Sequence, residues 1–473
     1  MGNGVGKEKK IFLCCPNSGK GKAYRIAGGK FMKRSIVILL AALLALTGLF
    51  GCTEKSVLDP KEPVTLTMWH VYGEQASSPM NRLVDEFNTT LGKEKGIVVQ
   101  VTNVTSTSKI SAQLKEAASD APDAPEMPDL FSAHTNTAAE LGTEKLFDWE
   151  KCFSKEELAD FVPEFLEDGR IGGKLSVFPL SKSSYALFIN GSQFERFSAD
   201  TGVTYDDLSD WEGFFDAAAK YYEWSDGKPF CAFDYLIRHV EFDVMAKQGK
   251  LDYTSDGWYD TADASLEESW MKFALPLTKG HVIIADQYAN TQVMTGDALS
   301  GIGSTAAVAY YNDKVTYPDN TSEPMNLKVL PLPRTGSGEQ FMPMTGVGLC
   351  AWPSTEQKAE AASVFVHWLT EGKRNLEFVV ETGYMPVSNE AFEAIAGYDN
   401  FPSEGYQSLY DAINTMREGY TPVVRPTFGG YYDKIDALYD GLRTILPEFS
   451  SRVEAGENAE TLAEETWKFF CSI

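Results

Sequence analysis

Val64-Thr65-Leu66-Thr67-Met68-Trp69-His70 decides the fold class, because Val64, Leu66 and Met68 alternate with Thr65 and Thr67 at the period of a half-buried strand. Ser78 and Pro79 then supply an N-cap and a first-turn proline. Met80, Leu83, Val84 and Phe87 follow at i, i+3, i+4 and i+7, the stripe of an amphipathic helix. A second strand over 97–101, a helix around Ile110, Leu114 and Ala118, and an apolar segment at Leu130-Phe131 continue the series. Strand, helix, strand, helix, strand predicts an α/β domain.

Upstream of this unit the chain is of another kind. Met32-Lys33-Arg34 precedes an uninterrupted apolar run from Ile36 to Phe50 that stops at Gly51-Cys52. The run is too short to cross roughly 30 Å of hydrocarbon comfortably and suits the apolar region of a secretory signal. Leu49-Phe50-Gly51-Cys52 resembles the bacterial lipobox, which implies that Cys52 is acylated and begins the mature chain; the rival reading is an ordinary cleaved signal beside a free cysteine. Residues 1–31 are read as an extension outside the natural protein, residues 32–51 as the signal peptide, and residues 52–63 as a polar tether. Met1-Gly2 is not a myristoylation signal, because Gly6 stands where Ser or Thr is wanted.

The whole chain has 42 Lys and Arg against 67 Asp and Glu, a formal net charge of −25. Nine of the basic residues and one acidic residue fall before Cys52, so the mature part is more acidic still. Such a surface repels phosphodiester backbones, and no nucleic-acid partner is expected. Downstream, Ser354-Thr355-Glu356-Gln357 reads as a capping box opening a helix that Gly372 ends, and a helix after Asp433 is expected to stop at Pro447. Length favours two lobes, since single cores seldom grow past about 250 to 300 residues.

Motifs for chemistry are scarce. The five histidines, His70, His134, His239, His281 and His367, include no pair at i, i+4, and no GxSxG, GxxxxGK[ST] or GxGxxG pattern occurs. Cys152, Cys231, Cys350 and Cys471 lack CxxC spacing and read as free, buried thiols, so no metal site is expected. The acidic series Asp120, Asp123, Glu126 and Asp129 is stiffened by three prolines and lacks the glycine-turned loop of a calcium site. Paired carboxylates such as Glu267-Glu268 carry no information in so acidic a chain. No catalytic residue and no cofactor are assigned; an exported hydrolase and a surface adhesin remain the rival readings.

Several segments, taken together and in order, resemble the family 1 extracellular solute-binding proteins. They are the strand Thr65–His70 ending in an aromatic pair, Pro128-Asp129-Leu130-Phe131, the crossing segment Pro179–Asn190, Gly296-Asp297-Ala298 leading to Gly303-Ser304, and Glu381-Thr382-Gly383-Tyr384-Met385-Pro386-Val387-Ser388. The resemblance implies a two-lobed α/β periplasmic-binding-protein fold, type II and maltose-binding-like, with lobes joined by hinge crossovers. Residues 64–181 with about 328–370 would form one lobe, and 182–327 with about 371–473 the other. It further implies an extracytoplasmic, lipid-anchored monomer that captures a small molecule by hinge closure and delivers it to an ABC permease, making and breaking no bond.

Carried over from the family's motifs, Ser183, Ser304, Gly346, Tyr384 and Arg425 are expected at the ligand. Hydroxyls and a backbone amide suit polyol oxygens, and an Arg fork suits a phosphate or carboxylate. The family's phosphate binders place an aromatic and a carboxylate where Ala133, His134 and Thr135 stand here, which turns the expectation toward a carbohydrate or polyol derivative, with glycerol 3-phosphate or a glycerophosphodiester as the alternative. Aromatic rings pack on the C–H faces of sugars, so Trp69, His70, Tyr72, His134, Trp258 and Tyr431 complete the candidate ligand set. Mass spectrometry of the mature protein is expected to find an acylated Cys52 at its N-terminus; an unmodified residue there would make the protein freely secreted.

Overall fold

β1 (Val64–His70) buries Val64, Leu66 and Met68 as its alternation requires. The computed structural model describes residues 56–72, 78–119, 121–255, 257–424 and 430–473, so the signal segment, Cys52 and Arg425 lie outside the described residues. After β1 come α1 (Pro79–Thr89), β2 (Ile97–Val104), α2 (Thr107–Ala117), β3 (Leu130–Ala133), α3 (Thr135–Glu140) and the short β4 (Phe178–Pro179). Ser78 caps α1 by accepting from the Asn81 backbone N–H at 3.3 Å, and Met80, Leu83, Val84 and Phe87 face inward. The apolar stripe on α1 and the inward face of β1 therefore meet in one core.

A second set of strands begins after β4. It comprises β5 (Tyr185–Asn190), β6 (Cys231–Phe233), α4 (Leu236–Gln248), β7 (Val282–Ile284), α5 (Ala289–Thr295), β8 (Ser300–Ser304) and β9 (Leu327–Leu330). These strands form a sheet in the order β9-β5-β8-β6-β7, with β6 parallel to both β8 and β7 and with β5 antiparallel to its neighbours. The chain then returns through β10 (Gly348–Ala351) to the first sheet, whose order is β2-β1-β3-β10-β4. β2 and β3 run parallel to β1, while β10 is antiparallel to β3 and β4.

Asp129 shows why an aspartate stands at the entry to β3. Its carboxylate takes Lys358 Nζ at 2.8 and 2.9 Å and the Thr67 backbone N–H at 2.9 Å, tying β1 and β3 to the helix after β10. That helix, α6 (Glu356–Leu369), is capped by Thr355, which accepts from the Lys358 N–H at 3.2 Å. Gly372 does not end it: Thr370 does, and Gly372 opens α7 (Gly372–Thr382). Phe378 and Val379 of α7, Phe392, and Leu409 and Ile413 of α8 (Glu404–Gly419) pack into the first core, although the chain after 370 was expected in the second lobe. Their apolar faces meet α1 and one side of the second sheet, where Phe188 and Val329 belong to the same cluster.

From Met416 onward the chain joins a second core with Phe194, Trp211, Phe233 and Trp270, completed by α9 (Tyr431–Glu454) and α10 (Ala459–Phe470). Pro447 lies inside α9 rather than stopping it, with Leu446 and Phe449 on either side held buried. Burial of this face outweighs the single hydrogen bond that the proline ring removes. Cys231 and Cys350 are buried and Cys152 half-buried, but Cys471 is exposed, because it follows the last helical turn. Among the described residues no helix is long and apolar enough to cross a membrane, and no group of His, Cys, Asp and Glu side chains gathers to hold a metal.

Three segments cross side by side between the sheets. Ser183 and Thr345 exchange backbone hydrogen bonds at 3.0 and 2.9 Å, and the Met385 N–H donates to the Lys182 carbonyl at 2.6 Å. Lys182 is buried here, with Asp168 as its ion-pair partner. Gly346 adopts φ +97°, and a Cβ on it would lie 2.3 Å from the Ser181 carbonyl oxygen and 3.0 Å from Lys182 Cα. Gly346→Ala is expected to lose at least about 2 kcal/mol in urea unfolding, from left-handed strain together with backbone collision; wild-type stability would show that the crossover yields without cost.

Candidate functional site

The parallel strands β1 and β3 end on the same side of the first sheet, and β6 and β8 do so in the second. Loops that leave the carboxyl ends of such strands converge into a crevice. Here they line a cleft of about 310 Å³ whose floor is the crossover ribbon. The first sheet contributes Val71 after β1, Ser106 and Thr107 at the start of α2, and His134 at the end of β3. The ribbon contributes Ser183, Thr345, Gly346, Val347 and Tyr384. The second sheet contributes Tyr185, Asp234, Tyr235, Tyr288, Asn290, Ser304 and Tyr310.

Of the residues expected at a ligand, His134, Ser183, Ser304, Gly346 and Tyr384 therefore line one cleft. His134 Nδ1 lies 3.0 Å from the Gly346 carbonyl oxygen. A carbonyl only accepts, so Nδ1 carries the proton and Nε2 is the acceptor nitrogen of the neutral ring. Tyr384 is held from beneath by Tyr72, edge-on with ring centroids 6.0 Å apart, and by Phe378, stacked at 6.4 Å. The Tyr72 hydroxyl reaches Ser181 Oγ at 2.6 Å, and Ser181 Oγ donates to the Val347 carbonyl at 3.0 Å. Burial pushes the Tyr72 phenol up to about 12, so this chain of hydroxyls stays neutral and fixes the ribbon under the cleft.

The other expected residues sit elsewhere. Trp69 is only 8 % exposed, lies in the first core, and donates its indole N–H to Thr102 Oγ1 at 3.0 Å. His70 is buried, with Nδ1 accepting from the Tyr72 backbone N–H at 3.1 Å and Nε2 2.8 Å from Asn81 Oδ1. Desolvation lowers its pKa and favours the neutral ring. Trp258 and Tyr431 belong to the second core, where the Tyr431 hydroxyl meets those of Tyr259 at 2.8 Å and Glu241 Oε1 at 3.0 Å. Arg425 lies outside the described residues.

Asp234, Tyr235, Tyr288 and Asn290 are cleft residues that the sequence reading did not reach. Asp234 follows the apolar run Cys231–Phe233, and a carboxylate at the carboxyl end of a buried strand was the available signal. Its Oδ1 accepts from the Ala289 N–H at 2.6 Å, and its own N–H donates to the Ile302 carbonyl at 3.0 Å. A Cβ on Gly303 would lie 2.2 Å from Asp234 Oδ2, so only glycine admits the carboxylate there. Burial pushes this carboxyl up to about 7, against the backbone N–H groups of Ala289 and Ser304, which favour the charged form.

Tyr288 and Tyr310 are 55 % and 44 % exposed, the exposed aromatic side chains among the large hydrophobic residues described, and both line this cleft. A larger groove of about 860 Å³ runs between helices beside the second sheet and the loop Arg334–Gly338, but its Lys247 and Lys272 are both held on Asp243. The cleft thus offers aromatic faces, hydroxyls, a carboxylate and an imidazole from two walls, the equipment for holding a small polar molecule. Tyr310→Ala is expected to change unfolding free energy by less than about 0.5 kcal/mol, and Trp69→Ala to cost about 3 kcal/mol. Equal losses in urea titrations would contradict this division between cleft and core.

A family profile described as bacterial extracellular solute-binding protein matches residues 82–402, whereas no curated protein matches in sequence. Among solved structures, a cyclic α-maltosyl-1,6-maltose binding protein from Arthrobacter globiformis aligns with TM-score 0.61 at 17% identity, over 86% of this chain and 99% of that one. UgpB from Mycobacterium tuberculosis, in complex with glycerophosphocholine, gives 0.61 at 16%, over 86% and 98%. Maltose-bound MalE3 of T. maritima gives 0.60 at 15%, over 86% and 98%. These likenesses establish the two-lobed periplasmic-binding-protein fold, and the profile spans more than half of the chain. The protein belongs to the family of bacterial extracellular solute-binding proteins.

Proposed function

We propose that the chain is the capture receptor of an ABC importer and that it binds a carbohydrate or polyol derivative in the cleft between its two sheets. The observation that carries this reading is the pairing of exposed Tyr288 and Tyr310 with Ser183, Ser304 and Asn290 around one cleft of about 310 Å³. Aromatic faces cover the C–H surface of a sugar ring while hydroxyl and amide groups take its oxygens. A ligand touching both walls favours the closed arrangement by its differential affinity, and the ribbon at Ser183, Thr345 and Met385 is the hinge. The lobe boundaries would then fall at 180–185, 345–348 and 383–386. Export, a diacylglyceryl anchor on Cys52, a monomeric state and release of the ligand chemically unchanged complete the proposal.

A thermal-shift panel of mono- and disaccharides, polyols, glycerophosphodiesters and amino acids tests it. A binder at 100 times its Kd stabilises the native state by about 2.7 kcal/mol. A saccharide or polyol is expected to give that shift, to be recovered unaltered after incubation, and to lose it in the Ser183→Ala, Tyr310→Ala double variant. A shift that survives the double variant would place the ligand elsewhere; a shift confined to phosphodiesters would replace the ligand class.

A further inference from the structure

We propose that the cleft selects a ligand bearing a cationic nitrogen, a protonated amine or quaternary ammonium beside its hydroxyls, seated against Asp234 and the tyrosines of the second wall. The inference rests on the reading that this cleft is the ligand site. Among the described lining residues, Asp234 is the one carboxyl group and no Lys or Arg joins it, and Tyr185, Tyr235, Tyr288, Tyr310 and Tyr384 line the same space. Tyrosine faces attract cations through their ring quadrupole, and a carboxylate beside several of them makes a site of one sign. The donors that meet Asp234 within the protein are backbone N–H groups, which are neutral dipoles. A half-buried carboxylate opposed only by dipoles gains from a counter-charge, and a cationic ligand brings it. The net charge of −25 adds a long-range field that draws cations in.

The same geometry links capture to protons. Burial holds the Asp234 carboxyl near neutrality, so a cation that enters must displace its proton. Affinity for the cation therefore rises with pH through about 7 and levels off above it, while affinity for an uncharged ligand does not follow. The titratable groups around Asp234 are the Cys231 thiol and the Tyr311 phenol, both raised by burial and neutral in this range, the cleft tyrosines, and His134 across the cleft. Protonated His134 would repel a cation in the same direction, so the Asp234 share is the part of the slope that an asparagine removes.

Isothermal titration with two matched pairs tests the proposal: choline against its neutral carbon isostere, and glucosamine against glucose. Asp234→Asn keeps the Oδ1 acceptor for the Ala289 N–H and is expected to fold, as a thermal melt will verify. In the wild type each cation should bind on the order of tenfold more tightly than its neutral partner, a difference of about 1.4 kcal/mol. In Asp234→Asn that preference should vanish, the cation and its neutral partner then binding within about twofold of each other. Should that variant fail to fold, Tyr310→Leu at an exposed position serves instead and should lower the preference in part. Equal binding within both pairs, silence of both cations, or a preference that survives Asp234→Asn would overturn the inference. Neutral saccharides that bind while amines are rejected would do so and leave the cleft reading standing.

Discussion

Ser183 and Thr345 exchange their backbone hydrogen bonds while Met385 adds its own to Lys182, and everything else in the molecule hangs from this three-segment ribbon. The ribbon lets two sheets face each other across a gap without a continuous strand between them. It also explains Gly346, whose φ of +97° and missing Cβ let the second crossing pass the first at van der Waals contact. The carbonyl of that same glycine fixes the tautomer of His134, so a backbone constraint in the ribbon sets the hydrogen-bonding character of a cleft side chain.

Much of the first lobe was legible in the sequence because local rules and global packing agree there. β1 alternates and is buried on alternate residues; Ser78 and Pro79 open a helix whose stripe is its buried face. Asp129 read as a motif residue, and its physical role is a charged clamp on Lys358 and Thr67 that ties the chain after β10 to β1. Where prediction and structure part, tertiary burial won. Pro447 is carried inside a helix because Leu446 and Phe449 are held in the second core, and α7 packs against the first lobe because Phe378 and Val379 have a partner surface on α1.

The cleft was half legible for a related reason. Ser183, Ser304, Gly346 and Tyr384 sit in stretches that resemble motifs of the solute-binding family, and that resemblance, not a local pattern, placed them at the ligand. Trp69, Trp258 and Tyr431 carry the same aromatic character, but large rings serve cores as readily as clefts, and only three-dimensional neighbours separate the two uses. Asp234 was hidden among many carboxylates. What distinguishes it is Gly303 on the neighbouring strand and the Ala289 N–H, both far away in sequence.

The return of β10 between β3 and β4 has a kinetic meaning. Leu130 pairs with Ala351, and Phe131 with Cys350, so the first sheet cannot be finished until more than two hundred further residues exist to supply its missing strand. Closing so long a loop makes the first lobe a slow, non-local assembly. A chain of this design stays open at its leading end while its trailing end is still being delivered, and it locks only when the far strand arrives.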